Sequence, residues 1–249
     1  MKITAVKTHK ITSADQSIFA ILEKYLNDLP DRSILVITSK IVSICEGRLE
    51  SIEGKTKMDL IKREADYYLL PEENKYHTSL TIKKGVMAAA AGIDESNGNG
   101  VYVLWPKDPQ RSANKIREFI ITKYKKKNIG VIITDSRSTP LRLGTVGIAL
   151  AHSGFAALND YVGSQDIFGR ELLITKSNVL DGLSAGAVTV MGEGKEQTPL
   201  AIIEDIPFVT FQNRNPSLNE LADLNVPLED DLYAPILSKA NWKKGNGHR

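Results

Sequence analysis

Three acidic positions in this chain of 249 residues have neighbours that suit chemistry as well as solvation. Asp94 follows the small apolar run AAAAGI and leads into Glu95, Ser96 and Asn97 among glycines; Asp135 and Ser136 close the apolar run IGVIITDS; Glu193 stands between two glycines in MGEG. A carboxylate at the end of a regular element is fixed by that element while its tip meets solvent. Hard oxygen donors of this kind suit magnesium or manganese, which commonly bridge to phosphate. Glycines on both sides of Glu193 let the backbone approach a ligand closely and could turn amide groups toward phosphate oxygens. Plainer readings stand beside each of these. Asp, Asn and Gly also reverse a chain at ordinary surface turns, and a glycine after a helix is most often only its cap.

Other chemistries find less support. The four histidines (His9, His77, His152, His248) are scattered without an HxH or HxxxH pair, which argues against zinc. Cys45 has no histidine near it in sequence and reads as a packed small residue. There is no GxxxxGK[ST] phosphate loop and no GxGxxG after a strand, so the residues alone suggest a nucleotide enzyme with an uncommon phosphate site.

The elements that must position these acids are legible in part. Residues 2 to 6 read as a strand, 18 to 29 as an amphipathic helix, and SILVITSKIVSI at 33 to 44 opens as a buried, β-branched strand. A charged helical patch lies near 55 to 66, and apolar runs on both sides place Asp94 at a junction between strands. In DPQRSANKIREFIITKYKKK, Asp108 is the expected N-cap and Pro109 the first helical residue, with Ile116, Phe119, Ile120 and Tyr124 on one face. The strand ending at Asp135 and Ser136 follows. Residues 141 to 155 are β-like, 159 to 172 are turn-rich with Asp160, Asp166 and Arg170, and a helix is expected from about Thr175 with Val179, Leu183, Ala187 and Val190 inward.

The bulk properties narrow the function classes. The 32 basic and 30 acidic side chains are mixed along the chain, so no basic footprint for nucleic acid appears. The cluster YKKKN at 124 to 128 complements a helix C-terminus. No apolar run approaches the about 20 residues needed to cross a bilayer, the N-terminus lacks an apolar signal core, and one cysteine makes no internal disulfide; the reducing cytoplasm is the expected compartment.

Taken in series, SKIVSICEGR, AAAAGIDESN, LWPKDPQRSANKIR, IITDS, GTVGIALAHSG, GSQDIFGREL and MGEG cover nearly the whole chain and resemble the coenzyme F-420 gamma-glutamyl ligases. Each motif is weak; the ordered set is specific. The resemblance implies an α+β fold of two intertwined lobes, with residues 1 to 249 forming a single gamma-glutamyl ligase domain, and a homodimer. It further implies addition of L-glutamate to the carboxylate of a heterocyclic coenzyme acceptor, using GTP and magnesium or manganese, with potassium assisting. Carried over by position, it makes Asp94, Asp135, Ser136 and Glu193 metal ligands. Ser39, Lys40, Asn97, Met191, Gly192 and Gly194 become nucleotide contacts, and no catalytic base is named. A carboxylate is a poor electrophile, so the implied route phosphorylates the acceptor and lets the glutamate amine attack the acyl phosphate. Two metals on the acids would neutralise charge around the transferring group.

The departures from the pattern are local. Thr8, His9, Lys10, Ile11 and then Ala14 and Asp15 replace the usual LPxI and GD residues, Ile44 stands where a second lysine is common, and Glu193 replaces glutamine. Lys40 or Arg48 is expected to compensate for the missing lysine. The run after Ser136 (Ser138 to Arg142) differs as well, and WPKDP with EDIPF resembles a folate-metabolism gamma-glutamate ligase branch. Deazaflavin and folate acceptors therefore both remain open. From other classes, a metal-dependent phosphohydrolase would use the same acids, and a non-catalytic nucleotide-binding protein would bind without turnover.

Overall fold

The computed structural model describes every residue except Asn97, Asn99, His248 and Arg249. The architecture is α+β and is organised around one pair of parallel strands. β1 (Lys2–Val6) is followed by α1 (Ile18–Tyr25), β2 (Ser33–Thr38) and α2 (Ser39–Cys45). The chain then builds a smaller unit from β3 (Leu49–Ser51), α3 (Lys57–Glu64), β4 (Tyr67–Tyr68), β5 (Leu80–Lys83), β6 (Val86–Ala89) and β7 (Val101–Val103). It returns through α4 (Pro109–Tyr124), β8 (Ile129–Ser138), β9 (Thr145–Ser153), the short pair β10 (Leu158–Asp160) and β11 (Lys176–Asn178), α5 (Val179–Met191) and β12 (Leu200–Glu204). The helices α6 (Leu218–Ala222) and α7 (Ala234–Leu237) precede β13 (Lys243–Lys244).

The main sheet has the order β1, β12, β2, β8, β9, in which β2 and β8 are parallel and every other pairing is antiparallel. β2 is buried on both faces, as its unbroken SILVIT run requires. Leu35 and Ile37 pack with Ile116 and Ile120 of α4 and Leu22 of α1, while Ile34 and Val36 pack with Leu183 and Ala187 of α5. α4 starts as its sequence dictates: Asp108 accepts from the Arg111 amide at 2.9 Å and Pro109 opens the first turn.

Four expectations need correction. β8 does not end at Asp135 and Ser136 but runs to Ser138, because β9 pairs with it through Thr145; Asp135 marks where the strand leaves the core. The helix expected from Thr175 begins at Val179, since residues 176 to 178 pair with β10 and Asn178 supplies the cap. Val190 is exposed, and Met191 takes the inward position. The first amphipathic helix also stops at Tyr25, although Leu26 and Leu29 remain in the core.

The smaller unit has its own core of Leu60, Ile61, Tyr68, Ile93, Tyr102 and Leu104. Its sheet runs β13, β4, β5, β6, so a segment after residue 240 crosses back to complete an element laid down near residue 67. The two units are intertwined in this sense. Among the described residues no helix is long and apolar enough to cross a membrane.

Under the smaller core lies a charge network that the alternation of β5 turns inward. Lys83, with a 4% exposed side chain, reaches Glu64 Oε2 at 3.0 Å, and Arg48 reaches the same oxygen at 2.7 Å. Burial pulls the Lys83 ammonium below its ordinary value, and Glu64 opposes that pull. Removing one partner of such a group leaves the other charge buried without compensation. We expect Glu64→Ala to lose about 3 to 5 kcal/mol of stability, read as a shift of the urea midpoint at constant slope.

Candidate functional site

A cavity of about 550 Å³ opens at the C-terminal ends of β2 and β8, and is lined by Lys40, Asp94, Asp135, Ser136, Glu193 and the segment Thr8 to Ile11 among others. Such crevices outside the carboxyl ends of parallel strands are where open sheets bind ligands. The register pairs Thr38 with Thr134, so the next residues, Ser39 and Lys40 on one side and Asp135 and Ser136 on the other, leave the sheet together. A register irregularity between Ile133 and Thr134 lies one residue before Asp135, a device that re-aims side chains beside sites.

Asp94 comes from the smaller unit. Ala90, Ala91 and Gly92 all have positive φ (51°, 55° and 68°), a left-handed turn that costs L-residues energy and excludes bulky ones. The AAAAG run is thus a conformational requirement. Thr81 holds the turn, its hydroxyl donating to the Ala88 carbonyl at 2.7 Å and accepting from the Ala91 amide at 2.9 Å. Asp94 then exchanges two backbone hydrogen bonds with Val103, which confirms its place between strands.

Lys40 Nζ lies 2.5 Å from Asp94 Oδ2 and also donates to the Ser96 carbonyl and hydroxyl at 3.1 and 3.2 Å. Burial, the largest single influence, pushes the Asp94 carboxyl up, but Lys40 and Ser96 together outweigh it and hold the group below its ordinary value. Asp135 behaves oppositely. Its burial dominates, the Ser136 amide and the Trp105 indole N–H oppose it, and the charge of Asp94 adds to it, so the carboxyl is pushed up to about 6. Ser136 Oγ donates to Glu193 Oε1 at 2.6 Å, and the Thr145 hydroxyl reaches the same oxygen at 3.4 Å.

The structure therefore brings together Ser39, Lys40, Asp94, Asp135, Ser136, Met191, Gly192, Glu193 and Gly194 around one cavity. Asn97 lies outside the described residues. Each acid is engaged by its own partner, and among the described residues no three His, Cys, Asp or Glu side chains are grouped to hold a metal ion. The donor chemistry still fits a hard divalent cation, because three carboxylates and a hydroxyl open on the same space. The amides of Gly192 and Gly194 are not free for phosphate: the first caps α5 on the Val188 carbonyl and the second donates to Glu196 at 2.8 Å. Arg48 does not replace the missing lysine either, being spent on Glu64 and on the Trp105 carbonyl. Lys40 lines the cavity, and so do Lys10 and Lys195, which carried no sequence signal.

Glu95 is exposed, as a turn acid should be. Asp166 accepts the Phe168 and Arg170 amides within its own turn. Cys45 is half-buried with its thiol pushed up to about 11 by burial, which leaves it inert.

An α+β fold with an acid-lined crevice is compatible with many chemistries, and likeness to known proteins narrows the class. A family model described as F420-0:Gamma-glutamyl ligase matches residues 5–205, which places the chain among enzymes of the ligase class that form amide bonds. More particularly, the chain belongs to the F420-0:gamma-glutamyl ligase family. It is 36% identical over 223 residues to a protein of Methanocaldococcus jannaschii named coenzyme F420:L-glutamate ligase, covering 82% of this chain and 86% of that one. The protein of that name from Methanococcus maripaludis strain C7 is 35% identical over 209 residues (78% and 83%), and that of Methanopyrus kandleri 34% over 197 residues (72% and 77%).

Asp135 gives a pH signature. The folded state holds its proton more tightly than the unfolded chain does, so stability falls as pH rises from 3.8 through about 6 and the buried carboxylate ionises. Each tenfold change in proton affinity is worth about 1.4 kcal/mol, so ionised Asp135 costs the chelated protein on the order of 3 kcal/mol. Asp135→Asn in chelator is expected to melt above the parent at pH 7.5, with the gap closing below pH 4. A gap independent of pH would remove the buried-charge account.

Proposed function

We propose that this protein joins the amine of L-glutamate to the carboxylate of a heterocyclic coenzyme acceptor, spending GTP through an acyl-phosphate intermediate. Family membership supports the reaction class. The observation that carries the assignment to this cavity is the convergence of Lys40, Asp94, Asp135, Ser136 and Glu193 on one space at the ends of β2 and β8.

The chain's own groups suit phosphoryl transfer, where catalysis is mostly positioning and electrostatics. Lys40, Lys10 and Lys195 place cationic charge where a triphosphate would sit, and Lys40 can exchange Asp94 for a phosphate oxygen. Thr8 to Ile11 wall the cavity at a separate segment, and this wall is read as the nucleotide-base side. His9 is fixed there by Asp15 at 2.9 Å and by the Tyr25 hydroxyl at 2.7 Å. Asp94, Asp135, Ser136 and Glu193 would hold magnesium or manganese, which when bound supplies positive charge against the phosphate oxygens. Potassium is read as an assisting ion.

The relatives' names favour a coenzyme F420 precursor as acceptor over a folate. Leu141 and Leu143 between β8 and β9, and Ile167, Phe168 and Ile174 between β10 and β11, are nearly fully exposed large apolar side chains. They support the homodimer reading.

Nucleoside diphosphate is expected to appear only when both L-glutamate and a deazaflavin or folate acceptor are present, with product gaining a glutamyl mass. Turnover indifferent to glutamate would instead indicate a phosphohydrolase, and binding without turnover a nucleotide-binding protein. Glu193→Gln removes one negative charge while keeping an oxygen donor. It should fold, remain active at saturating cation, and need severalfold more magnesium or manganese for half-maximal rate, the order expected for one ligand charge. Superimposable cation titrations would place Glu193 outside the binding set.

A further inference from the structure

Trp105 is 2% exposed, far from the cavity in composition yet in contact with its central acid. Its indole N–H donates to Asp135 Oδ2, and Asp135 lines the cavity. The indole is held from three other directions. Lys83 Nζ lies 5.3 Å from the ring centroid, Arg48 Nε donates to the Trp105 carbonyl at 3.0 Å, and both cations are tied to Glu64. The last direction is Gly92: a β-carbon there would lie 2.0 Å from the indole nitrogen and 2.1 Å from Cε2. Only glycine leaves room for the indole in this orientation, and this glycine belongs to the same left-handed turn that delivers Asp94. The remaining gap between Trp105, Lys40, Asp94 and Asp135 is about 10 Å³, so the indole and the carboxylate meet with little space between them.

We propose that Trp105 is a positioning residue, whose indole N–H fixes the orientation of the Asp135 carboxylate toward the cavity and whose own place is set by Gly92 and the buried Lys83, Glu64 and Arg48 group. Partners that orient a functional side chain typically cost ten- to a hundredfold in activity when removed. A tryptophan does this better than a flexible donor, because its N–H has one direction fixed by the ring plane. Neither Lys83 nor Arg48 touches the cavity, so the whole group acts through Trp105.

The test uses both activity and emission, and only the activity arm rests on the glutamyl ligase reading. Trp105→Phe keeps an aromatic body and removes the donor. Its glutamate-dependent kcat should fall about ten- to a hundredfold, with KM for glutamate and the thermal midpoint little changed. Gly92→Ala displaces the indole and also strains the turn that delivers Asp94, so it should lower kcat at least as far as Trp105→Phe does. A fall in kcat of Trp105→Phe that is matched by loss of the fold in a thermal melt, or an unchanged kcat, would each overturn the assignment. The chain has two tryptophans, so Trp242→Phe leaves Trp105 as sole emitter. In chelator, Asp135→Asn and Gly92→Ala should each change that emission. Unchanged emission in both would show that the indole does not rest against Asp135. If the parent shows no glutamate-dependent turnover, the ligase reading fails and the emission arm alone decides whether Trp105 holds Asp135.

Discussion

The parallel pairing of β2 with β8 is the constraint on which the rest depends. Two strands that run the same way, each buried on both faces, must end at the same edge of the sheet. That edge is where the chain can change from apolar to polar without leaving backbone groups unpaired in the core. Thr38 and Thr134 face each other at the last paired position, and the residues that follow are Ser39 and Lys40 on one strand, Asp135 and Ser136 on the other. A lysine and an acid separated by some 95 positions in sequence become neighbours through register alone. Reversing either strand would send them to opposite ends of the sheet.

The smaller unit is then a device for adding a second acid to that edge. It can do so only because Ala90, Ala91 and Gly92 accept left-handed backbone, which folds Asp94 back over Lys40. The cost of that turn and of the buried Lys83 is met by one set of contacts: Thr81 on the turn's amide, Glu64 on the lysine, and the indole of Trp105 wedged between turn and strand. The opposed behaviour of the two acids follows. Asp94 meets a cation and stays ionised, while Asp135, under the indole and away from solvent, holds its proton to about 6.

Much of this was legible in the sequence where the signal is local. The Asp108 and Pro109 start of α4, the buried β2 run and the junction position of Asp94 need only nearby residues to recognise. The ordered motifs carried the family. What escaped is long-range. β8 extends beyond Ser136 because β9 continues to pair with it, and α5 starts late because residues 176 to 178 find a partner in β10. A nearer competition was missed as well: the amides of Gly192 and Gly194 are engaged by the Val188 carbonyl of α5 and by Glu196, both within four residues. Trp105 entered only as a letter of the LWPKDP motif and Lys83 not at all, since a tryptophan before a proline and a lysine in an alternating strand read as ordinary until the fold stacks one on the other.

The small two-residue strand β13 has a bearing on how the molecule comes to exist. Its partner β4 is translated about 175 residues earlier and keeps an open edge while β8, β9 and β12 of the larger sheet are made. Gly245 and Gly247 then donate to the Asp66 and Ala65 carbonyls, closing that edge last. The unit that presents Asp94 is in this way completed only once residues 243 and 244 have been made, long after Asp94 itself, so the scaffold under that acid closes late. Until that edge closes, β4 presents unpaired backbone groups of the kind that recruit a wrong strand.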